Sequence, residues 1–222
     1  MQVTLERRRQ RLDEARLYFV CDARPHGSDA EPVLRAALQN GTEMIQLRDK
    51  QLGDAVLVEA ARPFRALADE QGALFMLNDR PDLVEQCGAD GVHLGQEDMP
   101  PPDARRLLPT SALLGLSTHS REQIEAAHEL GDDGPDYLSV GPIWETPTKE
   151  GRPATGLELI DTAARIARLP WFAIGGIDTE NVGEVVAAGA RRIVVVRAIR
   201  DAEDPARAAR VLRDALGAVE VG

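Results

Sequence analysis

The segment Cys87-Gly88-Ala89-Asp90-Gly91-Val92-His93-Leu94-Gly95-Gln96-Glu97-Asp98 decides the fold. A glycine ends a helical stretch, a short apolar run follows a few residues later, and polar residues come straight after it. Glycine suits the left-handed position just past a helix C-terminus. The same junction recurs at Asn40-Gly41-Thr42, Leu130-Gly131-Asp132 and Ala188-Gly189-Ala190. A repeated helix–Gly–strand junction marks a chain built from one βα unit used many times.

Working outward, eight apolar runs are found: Leu17 to Cys21, Met44 to Leu47, Leu74 to Leu77, Gly91 to Leu94, Leu113 to Leu116, Tyr137 to Val140, Trp171 to Ile174 and Ile193 to Val196. Each is nearly continuous rather than alternating, as expected of parallel strands covered on both faces. Between them lie Ala-, Leu-, Glu- and Arg-rich stretches with helical spacing. Asp54 to Gln71 places Val56, Leu57, Ala60, Ala61, Phe64, Leu67 and Ala68 on one stripe, and Arg121 to Leu130 is a second example. Eight strands alternating with helices in a chain of 222 residues predict a single (β/α)8 TIM barrel. The rival, an open doubly wound sheet, lacks its GxGxxG fingerprint: Cys21 leads into Asp22-Ala23-Arg24-Pro25. No Walker A sequence occurs either. No linker divides the chain, so residues 17–222 form the barrel. Residues 1–16 are an N-terminal helical extension, expected to lie outside it.

Composition excludes several classes. Lys plus Arg is 26 and Asp plus Glu is 37, a formal charge of −11, which is unsuited to general binding of nucleic acid or an anionic membrane. No apolar run approaches the roughly 20 residues that cross a bilayer. Met1 to Arg16 has no apolar core for a signal peptide, and Glu6, Asp13 and Glu14 argue against a mitochondrial presequence. Two cysteines, Cys21 and Cys87, allow no disulfide framework, and a reducing cytoplasm is expected. Of the 26 basic residues only Lys50 and Lys149 are lysines. A lysine where the chain otherwise uses arginine suggests a need for a compact ammonium, as at phosphate oxygens.

In a (β/α)8 barrel the site lies at the C-terminal strand ends. Asp22 follows strand one. Gln46, Arg48, Asp49 and Lys50 belong to or follow strand two, and Asn78, Asp79 and Arg80 follow strand three. His93 and then Gln96, Glu97 and Asp98 come with strand four; Ser117, Thr118 and His119 come with strand five. Gly141 through Arg152 follows strand six, Gly175-Gly176 strand seven, and Arg197 strand eight. Arg48, Lys50, Arg80, Lys149, Arg152 and Arg197 are thus expected to converge on one rim. A basic pocket in an acidic protein implies a small anionic ligand, most simply a phosphorylated one. Gly175-Gly176 is expected to open a helix through Ile177-Asp178-Thr179-Glu180 and to bind a phosphate; a turn needing positive φ is the plainer alternative. Asp79 and Asp98, on neighbouring strand ends, suit Mg²⁺ shared with a diphosphate, although each alone reads equally as a turn carboxylate. Among the histidines, His26 and His128 are expected to be exposed, His93 to be a satisfied residue inside the barrel, and His119 to orient its loop. Ser117 and Thr118 read as a hydrogen-bonding pair.

These motifs together resemble the thiamine-phosphate synthase family, over Leu17 to about Ile199. The matching elements are Gln46-Leu47-Arg48-Asp49-Lys50, Asn78-Asp79-Arg80, Gly91 to Asp98, Gly115-Leu116-Ser117-Thr118-His119, Gly141-Pro142 through Thr146-Pro147-Thr148-Lys149, and Ala173-Ile174-Gly175-Gly176-Ile177. The last alone is common among phosphate-binding barrels; all six in order are specific.

The resemblance implies a transferase. Gln46, Leu47, Arg48, Asp49, Lys50, Asn78, Ser117 and Lys149 would hold hydroxymethylpyrimidine diphosphate, with Arg48, Lys50, Ser117 and Lys149 in catalysis. Asp79 and Asp98 would hold Mg²⁺. Thr146, Pro147, Thr148, Gly176, Val196 and Arg197 would hold the thiazole phosphate. Position 197 departs from the family pattern, which has serine after Val196 and before Ala198-Ile199. The implied reaction is substitution at the pyrimidine methylene, assisted by Mg²⁺: diphosphate leaves, and the thiazole nitrogen attacks a carbon that the aminopyrimidine stabilises. The rivals are a thiazole tautomerase and a non-catalytic barrel that binds a thiamine precursor and regulates a partner. Such barrels are commonly homodimers.

Overall fold

The computed structural model describes residues 4–145 and 153–217. Eight parallel strands close into a barrel in chain order. They are β1 Leu17–Cys21, β2 Met44–Leu47, β3 Leu74–Asn78, β4 Gly91–Leu94, β5 Leu113–Thr118, β6 Tyr137–Val140, β7 Trp171–Ile174 and β8 Ile193–Val195. β1 closes the circle on β8 through Leu17↔Ile193 and Phe19↔Val195. Three strands differ from expectation. β3 and β5 run on to Asn78 and Thr118, because polar side chains at the strand ends do not break the ladder. β8 stops one residue early, where Val196 becomes the N-cap of a short helix, φ −120° and ψ −81°.

The helices are α1 Leu5–Glu14, α2 Glu31–Leu38, α3 Asp54–Gln71, α4 Val84–Cys87, α5 Pro101–Leu107, α6 Arg121–Glu129, α7 Gly156–Ile166, α8 Val182–Ala187, α9 Arg197–Arg200 and α10 Pro205–Gly217. The junction glycines behave as helix stops: Gly88 caps α4 at φ 63° and sends its N–H back to Glu85 and Val84. None of these helices is long and apolar enough to cross a membrane.

Strand alternation sorts the core into two layers. Phe19, Ile45, Leu47, Phe75, Leu77, Val92, Leu114, Leu138 and Val195 point outward and pack under the helices. Tyr18, Met44, Leu74, Met76, Leu113, Tyr137, Phe172 and Val194 fill the barrel interior. Gly115 makes room there: a Cβ on it would lie 2.2 Å from Tyr137 Cζ.

The N-terminal helix lies outside the ring of strands, as expected, and packs against one end of it. Leu12 and Ala15 are buried in the interior cluster, so α1 seals the N-terminal end of the barrel. Its arginines explain the basic N-terminus. Arg8 Nε donates to Asp90 at 2.9 Å and Arg9 Nε to Asp136 at 2.8 Å. These carboxylates sit just before β4 and β6 and are buried. Each holds a second arginine, Arg65 on Asp90 and Arg105 on Asp136, and each accepts a strand N–H, from Phe75 and Leu114 respectively. A buried charge is tolerated when it is paired and hydrogen-bonded on all sides.

Candidate active site

At the other end of the barrel the inward positions turn polar. Gln46, Asn78, His93, Ser117 and Ser139 line a cavity of about 440 Å³ at the C-terminal strand ends. Tyr18 forms part of its floor. The strand backbone holds these side chains, so their placement follows from β register and not from a flexible loop.

The floor is a continuous hydrogen-bonded chain. Gln46 Nε2 donates to Tyr18 Oη. Tyr18 Oη lies 3.2 Å from Tyr137 Oη, which lies 3.1 Å from His93 Nδ1. His93 Nε2 is 3.0 Å from Ser117 Oγ and 3.4 Å from Ser139 Oγ. Burial pushes both tyrosine hydroxyls well above their ordinary range, Tyr137 also through the neighbouring Tyr18. His93 is therefore the satisfied interior histidine that was expected. Ser117 and Thr118 do not pair with each other: alternation sends Ser117 inward, while Thr118 Oγ1 donates to Ser139 O at 3.0 Å. His119 does orient a loop, its Nδ1 contacting Gly141 O.

The rim carries the charge. Arg48 and Arg197 line the cavity, and neither has an acidic partner among the described residues. Lys50 Nζ lies 2.8 Å from Asp79 Oδ2. Asp79 has φ 60° and its N–H donates to His93 O at 2.9 Å. Its carboxyl is raised above the ordinary range, first by burial and then by Asp98 beside it, against the lowering by Lys50. Asp98 Oδ2 in turn accepts the Gly95 N–H at 2.7 Å. Two carboxylates this close repel each other, and a hard divalent cation with one or two protein carboxylates relieves that repulsion. The residues present fit such an ion.

Several expected members are elsewhere. Arg80 turns away from the cavity to Asp54 at 2.6 Å and Asp82 at 2.7 Å, so its charge is spent on those two carboxylates. The Leu47 side chain is fully buried in the outer layer, which leaves it no side-chain contact with the cavity. Asp49 Oδ1 accepts the Gln51 N–H at 3.2 Å in a turn, and Asp22 pairs with Arg200 at 2.9 Å. His26 is exposed as expected, but His128 is half-buried and accepts the Arg168 N–H at 3.2 Å. Thr146, Pro147, Thr148, Lys149 and Arg152 lie outside the described residues.

Gly175 and Gly176 take φ 105° and 69°. A Cβ on Gly175 would meet Pro142 Cα at 2.6 Å, and one on Gly176 would meet Trp144 Cβ at 2.8 Å. The pair thus serves both a left-handed turn and close approach of the loop after β6. It does not open a helix. Asp178 and Asn181 bond each other's backbone N–H at 3.1 and 2.9 Å, and α8 starts only after them. Gly176, Val196 and Arg197 nonetheless line the same cavity. Sequence reading missed Tyr18, Tyr137 and Ser139. The available signal was period-two alternation: Ser139 between Leu138 and Val140, and Tyr137 two residues before it.

A closed parallel barrel with a polar, cation-rimmed cavity at its C-terminal strand ends is the architecture of a (β/α)8 enzyme. Comparison with known proteins narrows this. The family described as "Thiamine monophosphate synthase" matches residues 17–199, and the chain belongs to that family. A thiamine-phosphate synthase of Thermus thermophilus is 52% identical over 205 residues, covering 90% of this chain and 97% of the relative. One from Arthrobacter is 47% identical over 228 residues, covering 93% and 96%. Among solved structures, a thiamine phosphate pyrophosphorylase from Pyrococcus furiosus superposes with a TM-score of 0.82 at 33% identity, covering 94% of this chain and 97% of that one. A 3-hexulose-6-phosphate synthase, at 20% identity and TM-score 0.64, shares the fold.

Proposed function

We propose that the chain joins hydroxymethylpyrimidine diphosphate to a thiazole phosphate, releasing diphosphate and forming thiamine phosphate. The observation that carries this reading is the meeting of Lys50, Asp79 and Asp98 just past the C-terminal ends of β2, β3 and β4, close in the chain to Arg48 and Asn78, which line the cavity. Such a set suits a diphosphate, whose oxygens take arginine bidentately and lysine as a point charge.

Asp79 and Asp98 would hold Mg²⁺, which when bound neutralises diphosphate charge and so helps it leave. Arg48 and Lys50 stabilise the same departing charge from this chain's own side. Gln46, Asn78 and Ser117 orient the pyrimidine. Gly176, Val196 and Arg197 hold the second phosphate, Arg197 supplying a long cation where the family pattern has a hydroxyl. Lys149 completes the diphosphate site, and Thr146, Pro147 and Thr148 the thiazole side, on the strength of the motif match alone. The chemistry requires no protein nucleophile: the substituted carbon is stabilised by its own aminopyrimidine, so the protein's task is charge stabilisation and alignment.

The test is product formation from the two purified substrates, with and without Mg²⁺ and EDTA, read as thiochrome fluorescence. EDTA-sensitive product supports the reading. Folded protein that neither forms product nor binds the pyrimidine diphosphate overturns it. Protein that binds the pyrimidine diphosphate but gives no product overturns the assignment of Arg197 to a thiazole phosphate.

A further inference from the structure

Two successive carbonyls after β7 are tied to groups outside the cavity wall. Gly175 O accepts the Trp144 N–H at 3.1 Å, and Gly176 O accepts Asn181 Nδ2 at 2.8 Å. Gly176 and Ile177 line the cavity, whereas Trp144 and Asn181 are not among its lining residues. The cis peptide among the described residues is Gly141-Pro142, so the two peptides here are trans. In a trans peptide the N–H points opposite to the C=O. The Gly176 N–H therefore points away from Trp144, and the Ile177 N–H away from Asn181. Among the described residues neither N–H meets a backbone carbonyl. Adjacent backbone N–H groups on one concave wall suit an anion. The two anchors differ in kind. Gly175 is held by backbone, Gly176 by a side chain whose orientation is fixed at both ends. Asn181 Oδ1 accepts the Asp178 N–H at 2.9 Å, so the nitrogen of the amide is the end left for Gly176 O. Asp178 also lines the cavity, but its Oδ1 accepts the N–H of Glu180 at 2.9 Å and of Asn181 at 3.1 Å.

We propose that Asn181 is a positioning residue that sets the preference for a phosphorylated second substrate. By holding the Gly176 carbonyl it turns the Ile177 N–H into the cavity as a donor to a phosphate ester. Asn181 touches no substrate and acts through that N–H. The preference rests on the second phosphate being held at Gly176, as proposed above; the direction of the N–H does not. Two substitutions separate this role from plainer ones. Asn181→Asp keeps an oxygen on the Asp178 N–H and sets a second oxygen against Gly176 O, which repels it. Asn181→Ala removes both bonds and adds no charge. Loss of the Gly176 anchor is the change the two share.

Steady-state kinetics with the thiazole phosphate varied are expected to show KM raised about tenfold in both variants. The same runs keep kcat within about threefold, and KM for the pyrimidine diphosphate within about twofold, of wild type. With the thiazole alcohol in place of its phosphate, kcat/KM is expected to be alike in wild type and variants. An equal loss for the alcohol overturns the proposal, as does a fall in kcat with KM unmoved. A rise in KM for Asn181→Asp alone is charge repulsion, and one for Asn181→Ala alone is loss of the turn; either overturns it. A second measurement needs no turnover. In protein labelled with ¹⁵N-isoleucine, Ile177→Val identifies the Ile177 amide signal. Inorganic phosphate is expected to move that signal in the wild type and to leave it in place in both variants. A wild-type signal that phosphate leaves in place overturns the proposal, whether or not the variants fold. Wild-type protein that makes no product overturns the proposed activity instead, and the phosphate titration still decides the role of Asn181.

Discussion

Removing the Asp136 carboxylate is expected to be among the most destabilising single changes, and its size can be worked from contacts. The side chain is 1% exposed. Oδ2 takes Arg105 at 2.7 Å and the Leu114 N–H at 2.8 Å, while Oδ1 takes Arg9 at 2.8 Å. Asp136→Ala leaves the Leu114 N–H buried without an acceptor, at a cost of about 1–3 kcal/mol. It also strands Arg105, whose side chain is 16% exposed. Breaking a buried pair costs about 3–5 kcal/mol, but Arg105 retains the carbonyls of Gly134 and Ala112, so the low end applies. The Arg9 contact adds little, because that side chain is 54% exposed. The total is about 4 kcal/mol, and with about 2–4 °C lost per kcal/mol for a chain of this size, Tm falls by about 8–16 °C. Asp136→Asn, which still offers Leu114 an acceptor, loses about half of that. Thermal denaturation followed by circular dichroism measures both. An Ala variant that melts within about 3 °C of wild type, or an Asn variant as unstable as the Ala variant, refutes the reasoning.

Three other outcomes are expected. Arg48→Met weakens pyrimidine diphosphate binding about 10- to 100-fold in calorimetry, the loss of a charge-assisted contact, whereas Arg80→Met changes it little because Arg80 is committed to Asp54 and Asp82; equal losses contradict the separation. Asp79→Asn keeps the φ 60° backbone, which Asn tolerates, and alters the stability–pH curve without divalent ions. The Asp79 carboxyl is raised in the fold, so its contribution is greatest at low pH and is lost as pH climbs from the ordinary value near 4 through the raised one. Asp79→Asn flattens that decline in Tm, and an unchanged curve contradicts it. Gly115→Ala drives a methyl into Tyr137 and His93, at 2.2 and 2.5 Å, and costs about 3 kcal/mol in urea denaturation, at the upper end for overpacking; a neutral result means the floor is loosely packed.

The fold was legible because its signal is local and repeated. The eight apolar runs and the capping glycines are read without knowing any partner, and α3 kept its expected bounds, Asp54–Gln71. What failed was decided by tertiary pairing. Arg80 sits in a motif beside Asp79, yet it is drawn to Asp54 on a neighbouring helix, a partner that spacing does not disclose. Asp178-Thr179-Glu180-Asn181 has the composition of a helix start, and only the reciprocal bonds between Asp178 and Asn181 reveal a separate turn. The pairing of Arg8 and Arg9 is not legible in the sequence, because their carboxylates lie 82 and 127 residues away in the chain.

The seal that α1 makes has a consequence for traffic. Leu12 and Ala15 stopper one end of the barrel beneath a floor of packed aromatic rings, which closes that end to the cavity. In a vessel with one opening, whatever settles deepest must enter before, and leave after, anything lodged nearer the lip. Two ligands stacked in it would come and go in a fixed order, with no gate required, on account of a stopper of ten helical residues.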